Sequence, residues 1–339
     1  MRFLHEFRRD FLLAGLGLVV LLCVGLLIDH AWPRDFLTSI FAFGLLAMSL
    51  NLLIGYTGLV SFGHAAFFAF GGYTFGLLLQ WPGFIAALGG ASIPVALLAA
   101  VLGTSLYALV IGAICVRLSE IYFAFLTLAF QMFLYSLIIS WVDLTGGDQG
   151  LMGGIPRPTF LGIDLSDQHD RFAFCAVIFV ACLVILRVVT QSPFGYTLRM
   201  IRDNPERAAF LGINVYRAKL ISFIVASAVA SVGGVILALF TSGAYPEWAF
   251  WAQSGEAIFM IMLGGLTVFI GPLVGAVLLR LLNDVVQSYT THSEIFIGLA
   301  ILLVVLGLRR GILDFVNDWW EERKQARLAQ ESRQGGSER

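Results

Sequence analysis

The feature that most constrains the fold is a succession of long apolar runs, because the hydrocarbon core of a membrane needs about 20 apolar residues per helix. Seven runs approach that length, at 11–28, 36–54, 92–116, 121–142, 172–189, 220–242 and 294–308. The composition agrees, since 59% of the residues are hydrophobic and only 13% are charged, whereas soluble domains carry about 25% charged residues. We therefore predict an all-α polytopic membrane protein. Disorder, nucleic-acid binding and a disulfide scaffold are excluded.

Two further apolar stretches, 55–79 and 250–287, are interrupted by glycine. Backbone at membrane depth must be hydrogen-bonded, so such a break is tolerated where it is buried in protein or lines a wet path. Discontinuous helices often form transporter substrate sites, whereas the alternative is close packing of small residues between helices. The candidate translocation path comprises Gly55, Tyr56, Thr57, Gly58, Ser61, Gly63 and His64 in the first stretch, and Gly264, Gly265, Gly271 and Pro272 in the second.

The distribution of charge predicts the orientation. Basic residues cluster in 1–10, 190–219 and 309–339, and the positive-inside rule makes these segments cytoplasmic. The segment 142–171 has five Asp against two Arg and is expected to be an external loop. For each of these segments to lie on its predicted side, the chain needs about ten membrane segments, including the two interrupted ones. The prediction is thus a cytoplasmic N-terminus at 1–10, a transmembrane domain at 11–308 and a cytoplasmic C-terminal tail at 309–339.

The cytoplasmic loop 190–219 contains the signature of a small capped helix. Asn204 suits the N-cap, Pro205 the first helical position and Glu206 the first turn, and Gly212 ends the pattern. A compact amphipathic helix suits docking into a groove of a cytoplasmic partner, and the alternative is a helix resting on anionic lipid. The residues assigned to this contact are Arg202, Asp203, Asn204, Pro205, Glu206, Arg207 and Gly212.

Missing motifs narrow the function further. Neither of the two lysines, Lys219 and Lys324, lies in a GxxxxGK[ST] loop, so the chain is not its own P-loop ATPase. Acids are missing from the middle of the runs, and Gln131 is the most polar group inside the run 121–142. That disfavours a proton relay and hence a self-sufficient secondary transporter. No paired carboxylates, metal-spaced histidines or nucleophile elbow indicate an enzyme, a metal site or a bound cofactor.

Four segments together resemble the permease family of branched-chain amino acid ABC importers. These are 51–74, RDNPERAAFLGIN at 202–214, GGLTVFIGPLVGA at 264–276 and TGGDQGLMGGIP at 145–156. The last segment is similar to the longer of the two permeases that pair in such systems. The resemblance implies a subunit of the bacterial inner membrane that forms the translocation path as a heterodimer with a second permease.

The same resemblance implies further partners. Two cytoplasmic ABC ATPase subunits would hydrolyse the ATP, with residues 202–211 as the coupling helix that touches one of them. A periplasmic solute-binding protein would dock on the external loop 142–171. The implied cargo is a branched-chain or other apolar amino acid, although related permeases serve urea, amides and aromatic acids.

Overall fold

The computed structural model describes residues 31–118, 120–151, 153–159, 164–289 and 311–315, with isolated positions at 15, 17–19, 295, 296, 298, 299 and 302. Within these residues five helical segments are long and apolar enough to cross a membrane, namely Trp32–Thr57, Pro82–Cys115, Ile121–Ser140, Gln168–Gln191 and Val215–Thr241. This confirms the all-α polytopic prediction. The runs predicted at 11–28 and 294–308, and most of both termini, lie outside the described residues, so the number of crossings stays a prediction.

Most of the helices follow one another with short connections, and the longest connection between two of them is 146–167. In chain order they are α1 (Ala31–Thr57), α2 (Ala65–Gln80), α3 (Pro82–Leu88), α4 (Ser92–Cys115), α5 (Glu120–Ser140), α6 (Val142–Thr145), α7 (Gln168–Gln191), α8 (Pro193–Asp203), α9 (Pro205–Phe210), α10 (Val215–Thr241), α11 (Trp251–Gly264) and α12 (Gly271–Tyr289). Both stretches predicted to be interrupted do break, between α1 and α2 and between α11 and α12. The chain divides into two compact units, Met1–Ile258 and Phe259–Arg339.

In the first unit, α10 packs against α1, α2 and α4. Glycine lets the backbones of α2 and α10 approach closely, as small residues do in membrane bundles. A Cβ atom built on Gly71 would lie 2.6 Å from Ser231 Cβ, and one on Gly234 would overlap the carbonyl of Phe68. These two helices therefore form the centre of the unit.

Side-chain contacts define the two ends of the first unit. At one end Tyr216 donates a hydrogen bond to the carbonyl of Ala113 at 3.3 Å, joining the start of α10 to the end of α4. At the other end Gln80 donates to the carbonyl of Gly154 at 3.2 Å, and the amide of Leu151 donates to Ala244 at 2.8 Å. The segments 190–219 and 142–171 thus lie at opposite ends of the first unit, and the side of the membrane that each end faces stays a prediction.

Candidate functional site

The first break begins where α1 ends at Thr57. The next residue, Gly58, has φ +78°, a left-handed conformation that glycine adopts without steric cost. The hydroxyl of Thr57 donates to the carbonyl of Leu52 at 2.9 Å and lies 2.9 Å from the hydroxyl of Ser222 on α10. The turn is therefore fixed to a neighbouring helix as well as to its own.

From this turn the chain runs back into the protein. His64 Nε2 lies 2.9 Å from the hydroxyl of Ser49, two turns before the end of α1, so His64 lies about 12 Å along α1 from its last residue. α2 then begins at Ala65 and has 16 residues, or about 24 Å, which is shorter than the ~30 Å hydrocarbon core. The non-helical segment 58–64 thus returns alongside α1 for about two helical turns before α2 begins.

A buried polar network holds the start of α2. The hydroxyl of Ser254 accepts from the amide of Ala65 at 2.9 Å and donates to Gln131 Oε1 at 2.7 Å. Gln131 Nε2 in turn donates to the carbonyl of Phe250 at 2.8 Å. Both Ser254 and Gln131 are fully buried. The network joins α2, α5 and the first turn of α11, and sequence reasoning missed Ser254 because one serine in an apolar stretch carries no signal of its partner.

Two polar atoms of the break are buried without a hydrogen-bond partner among the described residues, Ser61 Oγ and His64 Nδ1. An unpartnered buried polar group costs about 1–3 kcal/mol. Such groups in native proteins call for an explanation, for example a role in binding. They are the best candidates in the first break for a transient contact with a passing solute.

The glycines of the first stretch have two different roles. Gly58 supplies the turn, whereas a Cβ atom on Gly63 would overlap the backbone carbonyl of Thr127 on α5. Gly63 and Gly71 therefore provide the close packing that the sequence left open as an alternative, and Gly58 provides the break. Close packing is therefore found at some of these glycines, and the assignment of the stretch to a translocation path stays a prediction.

The aromatic residues at the start of α2 fill the space between helices. Phe67 makes an edge-to-face contact with Phe223 at 5.2 Å between ring centroids, Phe68 stacks on Phe43 at 5.7 Å, and Phe70 stacks on Tyr107 at 5.0 Å. Phe67 and Phe68 are buried. Their environment is that of a packed core.

The second break lies in the second unit, between α11 and α12. Its residues Gly264, Gly265, Gly271 and Pro272 are buried. Asp314 accepts hydrogen bonds from the amides of Leu266 at 2.9 Å and Val268 at 3.2 Å, and from the hydroxyl of Thr267 at 2.6 Å. Only 5% of Asp314 is exposed, so a carboxylate from the far end of the chain holds this turn. The sequence reasoning did not single out Asp314.

The loop 190–219 contains the predicted capped helix. Asn204 Oδ1 accepts from the amide of Arg207 at 2.8 Å, Pro205 is the first helical residue, and Gly212 follows with φ +85°. The expectation of one helix over 202–211 needs correction, however. Asn204 has φ −162° and ψ 103°, which breaks the helix, so that Arg202 and Asp203 form the last turn of a preceding helix.

That preceding helix, α8, was not predicted. Its N-cap is Ser192, whose hydroxyl accepts from the amide of Gly195 at 3.3 Å, and Pro193 occupies its first turn. Serine before proline is a recognised start signal. Here it directly follows the apolar run 172–189, which obscures the boundary.

α8 attaches to the end of α1 through its arginines. Arg202 Nη1 donates to the backbone carbonyl of Gly55, and its Nη2 lies 3.2 Å from Asp203 Oδ1. Arg199 donates to the carbonyl of Thr190 at 2.9 Å and lies over the ring of Tyr56 at 5.6 Å from its centroid. The structure thus brings Gly55, Tyr56 and Gly58 of the first break together with Arg202.

The short helix α9 presents an apolar surface to its surroundings. Phe210 is 92% exposed and Leu211 is 65% exposed. Glu206 and Arg207 are also exposed, whereas Ala208 is buried. An exposed large apolar side chain flanked by charged ones is typical of a protein contact surface.

At the opposite end, the segment after α6 packs against the end of α10. Arg157 donates to the carbonyl of Leu239 at 2.6 Å and contacts the hydroxyl of Ser242. Asp167 caps α7 by accepting from the amides of His169 at 3.1 Å and Asp170 at 3.4 Å. These contacts give the described part of 142–171 a defined structure.

The sequence is similar to a known protein family and to several of its members. Residues 33–306 match the family described as branched-chain amino acid transport system / permease component. The high-affinity branched-chain amino acid transport system permease protein LivM of Escherichia coli K12 is 26% identical over 320 residues, covering 85% of this chain and 73% of LivM. The LivH permease of the same strain is 28% identical over 139 residues, covering 40% of this chain and 45% of LivH.

A more distant relative and a solved structure are also similar. A Methanocaldococcus jannaschii protein described as a branched-chain amino acid transport permease, LivM, is 26% identical over 260 residues, covering 65% of this chain and 71% of its own. A chain from an inward-facing ABC transporter structure of metal-chelate type superposes with a TM-score of 0.46 at 16% identity, covering 87% of this chain and 98% of that one.

Proposed function

Because the chain belongs to the family of branched-chain amino acid transport permeases, we propose that it forms half of the membrane channel of an ATP-driven importer for branched-chain or other apolar amino acids. The match over residues 33–306 is the observation that carries this proposal, since it includes both breaks and the cytoplasmic loop. The second half of the channel is a second permease, as the similarity to both LivM and LivH suggests. Importers for urea, amides or aromatic acids are the alternative within the same class.

We further propose that the first break flanks the translocation path. The support is physical: a non-helical segment at membrane depth, with the buried unpartnered atoms Ser61 Oγ and His64 Nδ1, is the kind of backbone that discontinuous transporter helices use at substrate sites. The second break, Gly264 to Pro272, is assigned to the path on its sequence pattern. Tight binding is not required of either segment if a soluble binding protein selects the cargo.

The ATP would be hydrolysed by two separate cytoplasmic ATPase subunits, and this chain would bind no cofactor. We propose that α8 and α9 together contact one of them, with Phe210 as the apolar anchor and Glu206 and Arg207 as the surrounding charges. We assign the orientation in the membrane by the positive-inside rule. By this rule 190–219 and both termini lie in the cytoplasm of a bacterial cell. The external segment 142–171 would then face a periplasmic solute-binding protein.

The test is purification of the tagged chain from detergent-solubilised membranes, followed by mass spectrometry of what accompanies it. Recovery of a second permease and of P-loop ATPases is expected. The purified assembly, reconstituted in liposomes with its binding protein, should take up labelled leucine only when ATP is enclosed on the ATPase side. A chain that purifies alone and still transports would make it a secondary transporter and would overturn the proposal.

The contact with the ATPase is tested by Phe210→Ala, because truncation of a central aromatic anchor often costs 2 kcal/mol or more of binding. The ATPase subunits should then be lost from the purified assembly while the second permease remains. The matched control is Phe133→Ala, another exposed phenylalanine, on α5 and outside the cytoplasmic loop. Equal loss of the ATPases from both variants would remove α9 from the contact.

A further inference from the structure

A cavity of about 580 Å³ opens between the end of α4 and the start of α10. It is lined by Val116, Arg117, Leu118, Val215, Tyr216 and Lys219. Two of these residues are basic, one is an aromatic residue with a polar tip, three are aliphatic, and none is acidic. The ends of two membrane-spanning helices meet here, so the cavity lies where the hydrocarbon core gives way to lipid headgroups.

The cavity has a fixed geometry. The guanidinium of Arg117 lies 5.4 Å from the ring centroid of Tyr216, a cation–π distance. The hydroxyl of Tyr216 donates to the carbonyl of Ala113 in the last turn of α4 at 3.3 Å. Tyr216 therefore links the two helices and positions the charge of Arg117, which is itself exposed.

The surface that leads away from the cavity is apolar. Along α4 the exposed large side chains are Val95, Leu98, Leu102, Leu106, Leu109, Val110 and Ile114, and Ile221 is exposed on α10. Apart from the adjacent pair Leu109 and Val110, those of α4 are spaced by three or four residues, which places them on one side of the helix, over about 28 Å. Such a stripe has the length and chemistry to receive acyl chains.

We propose that this cavity binds the phosphodiester headgroup of an anionic phospholipid, whose acyl chains lie along the exposed face of α4. Arg117 supplies an exposed positive charge, and Lys219 also lines the cavity. Tyr216 lies at the level of the headgroup as interfacial aromatic residues do, and basic pockets between membrane helices are known to hold anionic headgroups. The basic cavity is continuous with an apolar stripe, and this favours a lipid over a free anion. A soluble phosphate compound has no acyl chains that could pack against the stripe. The site depends neither on the cargo nor on the ATPases.

The test is native mass spectrometry of the full-length chain, purified in mild detergent and equilibrated with equal amounts of phosphatidylglycerol and phosphatidylcholine. One phosphatidylglycerol should be retained per chain in preference to phosphatidylcholine. Since a basic residue near an anionic surface contributes about fivefold in affinity, Arg117→Gln should lower retention about fivefold, and Arg117→Gln with Lys219→Gln should lower it at least as much. Arg217→Gln is the control, because Arg217 is exposed, belongs to the same turn of α10 and does not line the cavity.

Two further experiments distinguish a lipid headgroup from a free phosphate compound and control for misfolding of the variants. Soluble glycerophosphoglycerol at millimolar concentration should not displace the lipid, and displacement would assign the cavity to a free anion and overturn the proposal. Arg117→Lys keeps the charge and should keep the preference for phosphatidylglycerol, even if the double variant is unstable. Equal retention of both lipids by the unmodified chain, or no difference between Arg117→Gln and Arg217→Gln, would also overturn it.

Discussion

Arg202, in the last turn of α8, donates a hydrogen bond to the backbone carbonyl of Gly55, in the last turn of α1. A Cβ atom on Gly58 would lie 3.1 Å from Cγ of the same arginine. One side chain of the loop 190–219 therefore rests directly on the turn that opens the first break. A displacement of α8 would reach the proposed path through direct contacts with the end of α1, without passing through the helix bundle.

We predict that Arg202→Gln uncouples ATP hydrolysis from uptake. A hydrogen bond from a charged group contributes about 1.5–3 kcal/mol, so the population in which α8 is held on the end of α1 should fall about tenfold or more. The number of solute molecules carried per ATP should fall with it. The measurement is leucine uptake and phosphate release in the same liposomes. Arg217→Gln, on the exposed surface of α10, should leave the ratio unchanged, and a ratio that is equally unchanged in Arg202→Gln would show that the contact transmits nothing.

Gly63 offers a test of close packing at the first break. Gly63→Ala would force α5 away, because the new methyl group overlaps the carbonyl of Thr127, and overpacking costs about 1–3 kcal/mol. A lower unfolding temperature in detergent is expected. The control is Gly255→Ala, where the added methyl group has no atom within 4 Å and alanine favours the helix by about 0.5–1 kcal/mol. Equal unfolding temperatures of the two variants would show that Gly63 and α5 are not in close contact.

Ser254→Ala is expected to weaken the start of α2. Removal of the hydroxyl leaves the amide of Ala65 and Oε1 of Gln131 without a partner, at a cost of about 1–3 kcal/mol. Hydrogen exchange at Ala65 should accelerate accordingly, by about tenfold. Ser105→Ala is the matched control, because that hydroxyl only bonds the carbonyl of Val101 in its own helix at 2.7 Å, and it should change exchange at Ala65 by less than about twofold.

How far the sequence predicts this arrangement depends on the range of the interaction. The Asn204 cap was predicted because its chemistry is local: the side chain bonds an amide three residues later. The break at Gly58 was predicted for a similar reason, since only the backbone near glycine and the need to satisfy it at membrane depth enter the argument. Both features are set within one turn of the chain.

Ser254 and Asp314 were missed for the opposite reason. Ser254 bonds Gln131, 123 residues earlier, and Asp314 bonds the amides of a turn about 48 residues before it. Neither residue differs in sequence from an ordinary surface or packing residue, and only the tertiary structure shows what each one holds. The helix α8 was missed because its cap lies against the end of an apolar run, where hydrophobicity hides the boundary.

The Asp167 cap predicts a pH dependence outside the membrane. Hydrogen bonds from the backbone amides of Asp170 and His169 hold the pKa of Asp167 below its usual value. A carboxyl group whose pKa is lowered on folding stabilises the fold above its unfolded pKa of about 3.9, and this stabilisation is lost as the pH falls through the lowered folded value. Asp167→Asn should therefore lose less thermal stability than the unmodified chain between pH 6 and pH 3. Equal losses would mean that the cap contributes nothing in solution.

Asp314 gives the sharpest test of the second unit. Its carboxylate accepts from the amides of Leu266, Thr267 and Val268, so Asp314→Ala removes several hydrogen bonds to a charged acceptor, each of which contributes about 1.5–3 kcal/mol. Hydrogen exchange in a peptide covering 265–270 should rise by tenfold or more, because the turn opens without its anchor. Asp284→Asn, an exposed acid on α12, should leave that peptide protected. Gly265 has φ +122°, a conformation that glycine adopts freely, so the backbone alone could specify the turn. Unchanged exchange in Asp314→Ala would show that the backbone is sufficient and that Asp314 is not the anchor.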